Sequence, residues 1–213
     1  MNTNITRICQ FIEHLTSANA SEIQEYTAEI TLNEKFHGSL KENQNNYGGR
    51  GFSGWSIGTA LGTILYTLCR KVRPDTVIET GVASGVSSSY ILCGLEENKH
   101  GALYSIDLAW REGQSGWIIP DYLRYRWQLV MGRSYDKLLP LLEKLGTIDI
   151  FLHDSEHSYR NMLFEYQTAW TYLNPGGLLL SHNINSSNAF YDFCESVNHK
   201  FYEFGDFGTI AKA

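Results

Sequence analysis

The chain has 213 residues, of which 43% are hydrophobic and 19% are charged, and its formal net charge at pH 7 is −6. This length and composition are typical of one folded domain with a sizeable core, and they exclude an extended disordered chain. The negative net charge argues against a general nucleic-acid binder, because phosphate neutralisation requires clustered Lys and Arg.

The sequence predicts neither a membrane span nor a secretory leader. No run of about 18 apolar residues is present, and the first residues lack the basic and apolar regions of a signal peptide. The four cysteines form no CxxC pair, which predicts buried thiols of a cytoplasmic protein rather than a disulfide framework. They are Cys9, Cys69, Cys93 and Cys194.

The first fifty or so residues carry two different patterns. Apolar periodicity over residues 5–32 predicts helices, with Ser21 and Gln24 as a capping box for the second one. Residues 33–54 are polar and become rich in glycine, while Tyr, Phe and Trp follow one another closely at the end. We therefore expect a mobile loop there that caps the mouth of a site.

From residue 55 onward, helical and strand patterns alternate. A helix is predicted over 55–71 and a first strand around 77–79. Later strands are predicted over 102–107, 127–132, 148–152, 178–181, 200–205 and 208–213. Alternation of this kind predicts an α/β fold. We expect a Rossmann-like, doubly wound, seven-stranded sheet, mostly parallel, with an antiparallel strand from an edge hairpin. Residues 1–54 are expected to form an N-terminal helical extension and cap loop, and residues 55–213 the sheet domain.

Residues 77–90 organise the rest of the chain. An apolar run ends at Glu79, passes through a turn containing Gly81 and Gly85, and continues as a helix. Glycine permits φ > 0 and close approach of a ligand, and the helix start offers unpaired N–H groups to an anion. The next predicted strand ends at Asp107, at the spacing of about twenty residues where an acid accepts hydrogen bonds from a ribose. Together these features predict a cofactor that contains adenosine, although each alone also suits an ordinary turn or cap.

Several polar side chains follow the predicted strands directly. Ligands of such sheets bind beyond the carboxyl ends of the strands, so we expect these side chains to form a functional site. They are Glu79, Asp107, Ser134, Asp154, His157, His182 and Asn183.

Other motifs are weaker. His153 and His157 have the i, i+4 spacing of a zinc protease helix, but Asp154 stands where that motif requires Glu, and the segment follows a strand. A nicotinamide dehydrogenase would favour a fuller GxGxxG. Neither a G-x-S-x-G elbow nor a P-loop occurs in the sequence.

The motifs in residues 77–85, 104–107 and 174–177 resemble those of class I S-adenosylmethionine-dependent methyltransferases. The resemblance extends over roughly residues 55–213. Within that class, residues 154–159 and 181–184 resemble the metal-dependent O-methyltransferases of the catechol and macrocin types.

The resemblance implies a role for each residue of the glycine turn. Gly81, Ala83 and Gly85 would form the loop under the methionine part of S-adenosylmethionine. Ser87 would contact the carboxylate of the cofactor, and Glu79 would lie near its amino group.

It also implies roles for residues after the later strands. Asp107 would hold the ribose hydroxyls, Ser134 would lie beside the adenine, and Asp154 would adjoin the cofactor. His157, three residues after Asp154, has the position of the general base. The base is lysine in the catechol type and histidine in the macrocin type.

Asp154, His182 and Asn183 match the family's magnesium ligands. His182 departs from the pattern, because the family usually supplies a carboxylate there, and magnesium prefers oxygen ligands. The three side chains would better suit manganese, iron or zinc, or hold no metal.

We therefore expect methyl transfer from S-adenosylmethionine to a hydroxyl of a small molecule. His157 would act as the base, and Asp154 would either bind a metal or orient the acceptor. Two alternatives stay open, a nicotinamide-dependent oxidoreductase and a non-catalytic cofactor-binding or scaffold protein. The acceptor's identity, its accepting atom (O or N) and a homo-oligomeric state are also open, and no nucleic-acid or membrane partner is expected.

Overall fold

The computed structural model describes residues 3–16, 18–47, 58–108 and 114–213. Two short 3-10 turns, Asp121–Arg126 and Ile184–Ser186, accompany the main elements. The helices are α1 Thr3–Leu15, α2 Ala20–Thr31, α3 Glu34–Tyr47, α4 Thr59–Val72, α5 Val86–Asn98, α6 Ser134–Leu145, α7 Tyr159–Tyr172 and α8 Ala189–Val197. The strands are β1 Thr76–Thr80, β2 Ala102–Asp107, β3 Trp127–Met131, β4 Ile148–His153, β5 Leu173–Ser181, β6 Phe201–Phe204 and β7 Phe207–Ala211.

The seven strands form one sheet in the order β3-β2-β1-β4-β5-β7-β6. β1 pairs in parallel with β4, and β4 in parallel with β5, whereas β7 is antiparallel to both β5 and β6. The strand order reverses between β1 and β4, which is the position where open α/β sheets bind their ligands. The predicted Rossmann-like sheet with its antiparallel hairpin strand is therefore confirmed.

The chain divides into two compact units. The helical unit comprises Met1–Arg73, Val82–Leu103 and Ala109–Gln128, and the sheet unit comprises Pro74–Gly81, Tyr104–Leu108 and Leu129–Ala213. The predicted boundary between residues 54 and 55 lies outside the described residues and stays a prediction.

In the helical unit, glycines let α4 and α5 pack closely. A Cβ on Gly62 of α4 would lie 2.5 Å from the ring of Tyr90, and a Cβ on Gly94 of α5 would lie 2.8 Å from the Cβ of Cys69. Phe36 of α3 is fully buried, with its ring edge-to-face on Tyr90 at 4.9 Å between centroids. Burial of apolar side chains of this size is the main stabilising contribution in such a helix pair.

Two predictions for the N-terminal region are wrong. The expected loop over 33–54 is largely the helix α3, which begins where the side chain of Asn33 accepts a hydrogen bond from the Phe36 N–H (2.9 Å). The polar composition misled the prediction, because α3 buries only one apolar side chain, Phe36, and its Asn43 donates to the Ile118 carbonyl. The cap of α2 is Asn19, which accepts from the Glu22 N–H, rather than the predicted Ser21 pair.

In the sheet unit, apolar side chains of the strands pack against α6, α7 and α8. Ile78, Phe151 and Leu179 from β1, β4 and β5 are fully buried together with Tyr166 of α7 and Phe193 of α8. Near-continuous apolar runs of this kind are expected of strands that are covered on their faces.

β5 begins earlier than predicted. Residues 174–177 belong to this strand although their sequence is typical of a turn. The Gly176 N–H donates to the Lys212 carbonyl, the Lys212 N–H donates to the Gly177 carbonyl, and the Asn174 side chain donates to Asp149. Long-range pairing has overridden local turn preference here.

The start of the predicted 55–71 helix and the glycine-rich part of the predicted cap loop (48–54) lie outside the described residues. All four cysteines are buried with free thiols, as predicted. Among the helices that the structure describes, none has the length and apolar character needed to cross a membrane.

Candidate functional site

In the sheet unit, main-chain hydrogen bonds continue past the carboxyl ends of the strands. They hold the segments that carry most of the predicted site residues in fixed register. These bonds are Gly81 N to Ile106 O (2.9 Å), Gly132 N to Asp107 O (3.0 Å), Asp154 N to Thr80 O (2.8 Å) and His182 N to His153 O (3.0 Å).

Gly81 begins the glycine turn at a position that excludes any side chain. Its φ is +84°, and an added Cβ would lie 2.0 Å from the carbonyl oxygen of Asp154. Glycine is required there by both the backbone conformation and the space. The start of the turn is therefore in close contact with the segment that follows β4.

The remainder of the turn belongs to the helical unit. Ala83 has φ +47° and Gly85, the N-cap of α5, has φ +94°. A Cβ on Gly85 would lie 2.7 Å from the Cα of Gly116, whose N–H donates to the Ala83 carbonyl. Ser87 is buried in the first turn of α5.

The two predicted acidic positions at the ends of β1 and β2 differ in exposure. Glu79 is fully buried, and its carboxylate accepts a hydrogen bond from the Ser105 hydroxyl (2.7 Å). Asp107 is partly exposed, and its Oδ1 accepts from the Leu108 N–H (2.9 Å). Of these two carboxylates, Asp107 is the one at the protein surface.

Asp154, His157 and His182 form a compact polar cluster after β4 and β5. His182 Nδ1 lies 2.9 Å from Asp154 Oδ1, and His157 Nε2 lies 3.7 Å from the same oxygen. Burial raises the pKa of Asp154, but the neighbouring imidazoles lower it, and the net shift is downward. Burial lowers the pKa of His182, but the hydrogen bond and charge of Asp154 and the charge of Asp206 raise it above its ordinary value.

Two ring nitrogens beside this cluster are shielded from solvent. His157 Nε2 and His153 Nε2 make no hydrogen bond within the described residues. The two rings pack edge-to-face at 5.3 Å between centroids. A shielded imidazole nitrogen without a donor on it can accept a proton from a bound molecule, because neutral imidazole carries one acceptor nitrogen.

The residues that the resemblance assigns to a metal are hydrogen-bonded to neighbouring side chains. Asn183 adopts the left-handed conformation (φ +53°), and its amide nitrogen donates to Asp206 Oδ2 (3.1 Å). His182 Nδ1 is engaged by Asp154. Within the described ranges, no group of three or more His, Cys, Asp or Glu side chains is arranged for a metal. One carboxylate, one imidazole and one amide do not fit magnesium, which prefers oxygen donors.

A fully buried carboxylate that the sequence analysis missed lies directly behind this cluster. Glu165 of α7 is 0% exposed and accepts hydrogen bonds from four side chains. The donors are Thr80 Oγ1 (2.5 Å), His153 Nδ1 (2.6 Å), Ser155 Oγ (2.7 Å) and Asn161 Nδ2 (3.0 Å). Burial raises the pKa of Glu165, but the His153 hydrogen bond and charge and the neighbouring hydroxyls lower it, and the net shift is downward.

Ser134 also contacts the hydrogen-bond network around Glu165. Its hydroxyl lies 3.3 Å from the Asn161 side-chain oxygen, to which it donates a hydrogen bond. A signal for Glu165 existed in the sequence, since this acid shares the buried face of α7 with Met162, Tyr166 and Ala169. A charged residue on an apolar helix face implies buried partners.

Comparisons with known proteins agree with the fold. The family model described as "Methyltransferase domain" matches residues 78–184. No curated protein matches the chain. Solved structures with the same fold include the O-methyltransferase from Bacillus cereus in complex with SAH, which is 16% identical with a TM-score of 0.69, over 88% of this chain and 96% of that one.

Two further solved structures are similar at comparable levels. The O-methyltransferase TomG from Streptomyces achromogenes, involved in tomaymycin synthesis and in complex with SAM, is 15% identical (TM-score 0.67), over 82% of this chain and 90% of that one. SAH-bound methyltransferase PaMTH1 from Podospora anserina is 14% identical (TM-score 0.63), over 82% and 88%.

Proposed function

The chain belongs to the family of methyltransferase domains, and from that membership we propose that it transfers a methyl group from S-adenosylmethionine to a hydroxyl of a small molecule. The observation that carries the proposal is the cluster of Asp154, His157 and His182, in close contact with Gly81 at the start of the glycine turn. Two similar structures support this proposal. The protein from Bacillus cereus is an O-methyltransferase with bound SAH, and the one from Streptomyces achromogenes is an O-methyltransferase with bound SAM, which supports both the cofactor and an oxygen as the accepting atom.

The chain's residues fit such a cofactor. Gly81 has φ +84°, a backbone conformation that a tight glycine turn requires, and Asp107 offers a carboxylate at the surface for the ribose hydroxyls. When bound, S-adenosylmethionine supplies a methyl group on a positively charged sulfur, which is already activated for transfer. The other proposed cofactor positions follow the resemblance: Glu79, Ala83, Gly85, Ser87, Ser134 and Asp154.

His157 is proposed as the base. Its shielded Nε2 would accept the proton of the acceptor hydroxyl, which is a poor nucleophile until that proton leaves. Asp154, 3.7 Å away, would stabilise the imidazolium that forms. An amine acceptor would lose its proton to the same nitrogen.

Magnesium has no part in this mechanism, because one carboxylate, one imidazole and one amide do not fit that ion. Alignment of acceptor and cofactor is then the main contribution of the protein, and pre-organisation alone supplies a large share of such rate enhancements. The acidic overall charge and the cytoplasmic location expected from the sequence remain compatible with a small-molecule acceptor.

Calorimetric titration with S-adenosylhomocysteine tests the cofactor assignment. We expect micromolar binding that Asp107→Ala weakens roughly 10- to 100-fold, since a hydrogen bond to a charged group contributes about 1.5–3 kcal/mol. Asp121→Ala is the matched control, because the Asp121 side chain is 96% exposed. Binding of NAD or NADP in place of S-adenosylhomocysteine would refute the proposal in favour of an oxidoreductase.

Methyl transfer to a panel of hydroxyl- and amine-bearing small molecules tests the chemistry. His157→Ala is expected to lower the rate about 10²- to 10⁴-fold with unchanged binding of S-adenosylhomocysteine. His100→Ala, at an exposed position, serves as control. Cofactor binding without transfer to any member of the panel would favour a scaffold protein, and a His157→Ala rate equal to wild type would exclude His157 as the base.

A further inference from the structure

His182 is held between two carboxylates of the sheet unit. Its Nδ1 donates a hydrogen bond to Asp154 Oδ1 at 2.9 Å, and its Nε2 faces Asp206 Oδ1 at 3.8 Å. Asp206 lies in the turn between β6 and β7, and the Ile184 N–H donates to its carbonyl at 3.0 Å. The ring is therefore fixed from both sides, with only 20% of its side chain exposed.

This arrangement occupies the ring nitrogen that faces Asp154, which an ion shared by His182 and that carboxylate would need, while Nε2 faces Asp206 instead. A ring nitrogen that donates its proton to a carboxylate has no lone pair to offer to a cation. Asp154 uses Oδ1 for this hydrogen bond, and the same oxygen is the one nearest to His157. The site thus satisfies its central carboxylate with the N–H group of His182, where a metal site would satisfy it with an ion.

Asn183, the third residue that matches a metal ligand of the family, also contacts Asp206. The Asn183 amide donates to Asp206 Oδ2, and this hydrogen bond holds the side chain against the turn between β6 and β7. Asp206 therefore contacts both residues that follow β5. An ion shared by Asp154 and His182 Nδ1 would have to break the hydrogen bond between these two side chains.

We propose that His182 takes the place of the divalent ion of the metal-dependent O-methyltransferases that these residues resemble: its ring N–H fixes the Asp154 carboxylate, and the site binds neither Mg²⁺ nor Mn²⁺. The inference rests on the proposed function, but the binding of a metal ion can be measured whether or not that function is correct. His182 is a positioning residue in this scheme, since it acts through Asp154. Methyl transfer then proceeds without added divalent metal.

Calorimetric titration with MgCl₂ and MnCl₂ compares wild type, His182→Asp and the control His100→Asp. His182→Asp restores an oxygen-only set of carboxylate, carboxylate and amide, the donor chemistry that magnesium prefers. We expect no binding to wild type or control up to millimolar ion, and at least 10-fold tighter binding to His182→Asp. Micromolar binding to wild type, or a folded His182→Asp that still binds no ion, overturns the proposal.

A second measurement does not depend on the variant folding. Manganese is paramagnetic and broadens NMR signals of nearby nuclei, so the imidazole ¹⁵N and ¹H signals of His182 are followed during titration of wild type with MnCl₂. We expect the Nδ1 proton signal to persist at its hydrogen-bonded position, and selective broadening of His182 would refute the inference. Titration of the same samples with S-adenosylhomocysteine reports separately on the proposed function, because its failure would leave the metal result readable.

Discussion

Replacing Glu165 by alanine tests the buried network behind the candidate site. The carboxylate is 0% exposed, and four donors from three elements and a loop converge on it. They are Thr80 of β1, His153 of β4, Ser155 and Asn161. Alanine would remove the acceptor of the buried Thr80 and His153 donors and leave a cavity.

The expected cost is large. Each hydrogen bond to a charged group contributes about 1.5–3 kcal/mol, and desolvation of the carboxylate offsets part of the sum. Removing one partner from a buried, paired set typically costs about 3–5 kcal/mol. For a chain of this size we expect the melting temperature to fall by roughly 10 °C or more. Glu165→Gln, which keeps the shape and one acceptor oxygen, should cost about half as much.

Urea denaturation followed by circular dichroism measures this difference. Glu143→Ala, an exposed acid of α6, is the control and should change stability by no more than about 0.5 kcal/mol. A Glu165→Ala variant within about 1 kcal/mol of wild type would show that the network does not stabilise the sheet unit.

The same variants make a pH prediction. The pKa of Glu165 in the folded chain is below its ordinary value of 4.5, so its contribution is present above pH 4.5 and is lost as the pH falls through the folded pKa. The stability difference between wild type and Glu165→Gln should therefore shrink in acid. A difference that is constant from neutral pH into strong acid would contradict an ionised Glu165.

Two further predictions concern the candidate site. Gly81→Ala should destabilise the protein by about 3 kcal/mol or more, because it adds to the strain of φ +84° a Cβ at 2.0 Å from the Asp154 oxygen. Gly146→Ala, with the same φ and nothing within 4 Å, should cost only about 1 kcal/mol, and equal melting temperatures for the two variants would contradict the clash. His182→Asn should lower stability most in acid: the pKa of His182 is raised above 6.5, so its contribution is fully present below that pH and is lost as the pH rises through the folded pKa. Urea denaturation across this range checks the sign, and a stability difference that grows with pH would refute it.

Much of the fold could be predicted from the sequence because its signals are local. Apolar runs separated by glycine and proline mark strands, and apolar residues at helical spacing mark helices, wherever they occur in the chain. The turn from Glu79 to Gly85 is of this kind, since φ > 0 at Gly81 and Gly85 is a property of the residues themselves. The carboxylate that ends β2 at Asp107 likewise follows from position along one strand.

Local sequence signals failed to predict two elements correctly, the helix α3 and the start of the strand β5. α3 is polar, and it is held in place by Phe36, which packs on Tyr90 of α5, and by Asn43, which donates to the Ile118 carbonyl. β5 includes residues 174–177 because Lys212, which directly follows β7, pairs with a segment whose composition is typical of a turn. In both cases the deciding contacts come from elements distant in sequence, which propensity does not contain.

For the chemistry of the site, too, one part follows from the sequence and the other part only from the tertiary structure. The sequence by itself determined that Asp154, His157 and His182 follow strands of an α/β sheet, because strand ends can be located from local patterns. Only the tertiary structure decided what each side chain contacts: His182 and Asn183 are directed to Asp206, which is more than twenty residues away. The buried acceptor Glu165 was equally a product of folding, since its donors come from β1, β4 and α7 and meet only when those elements pack.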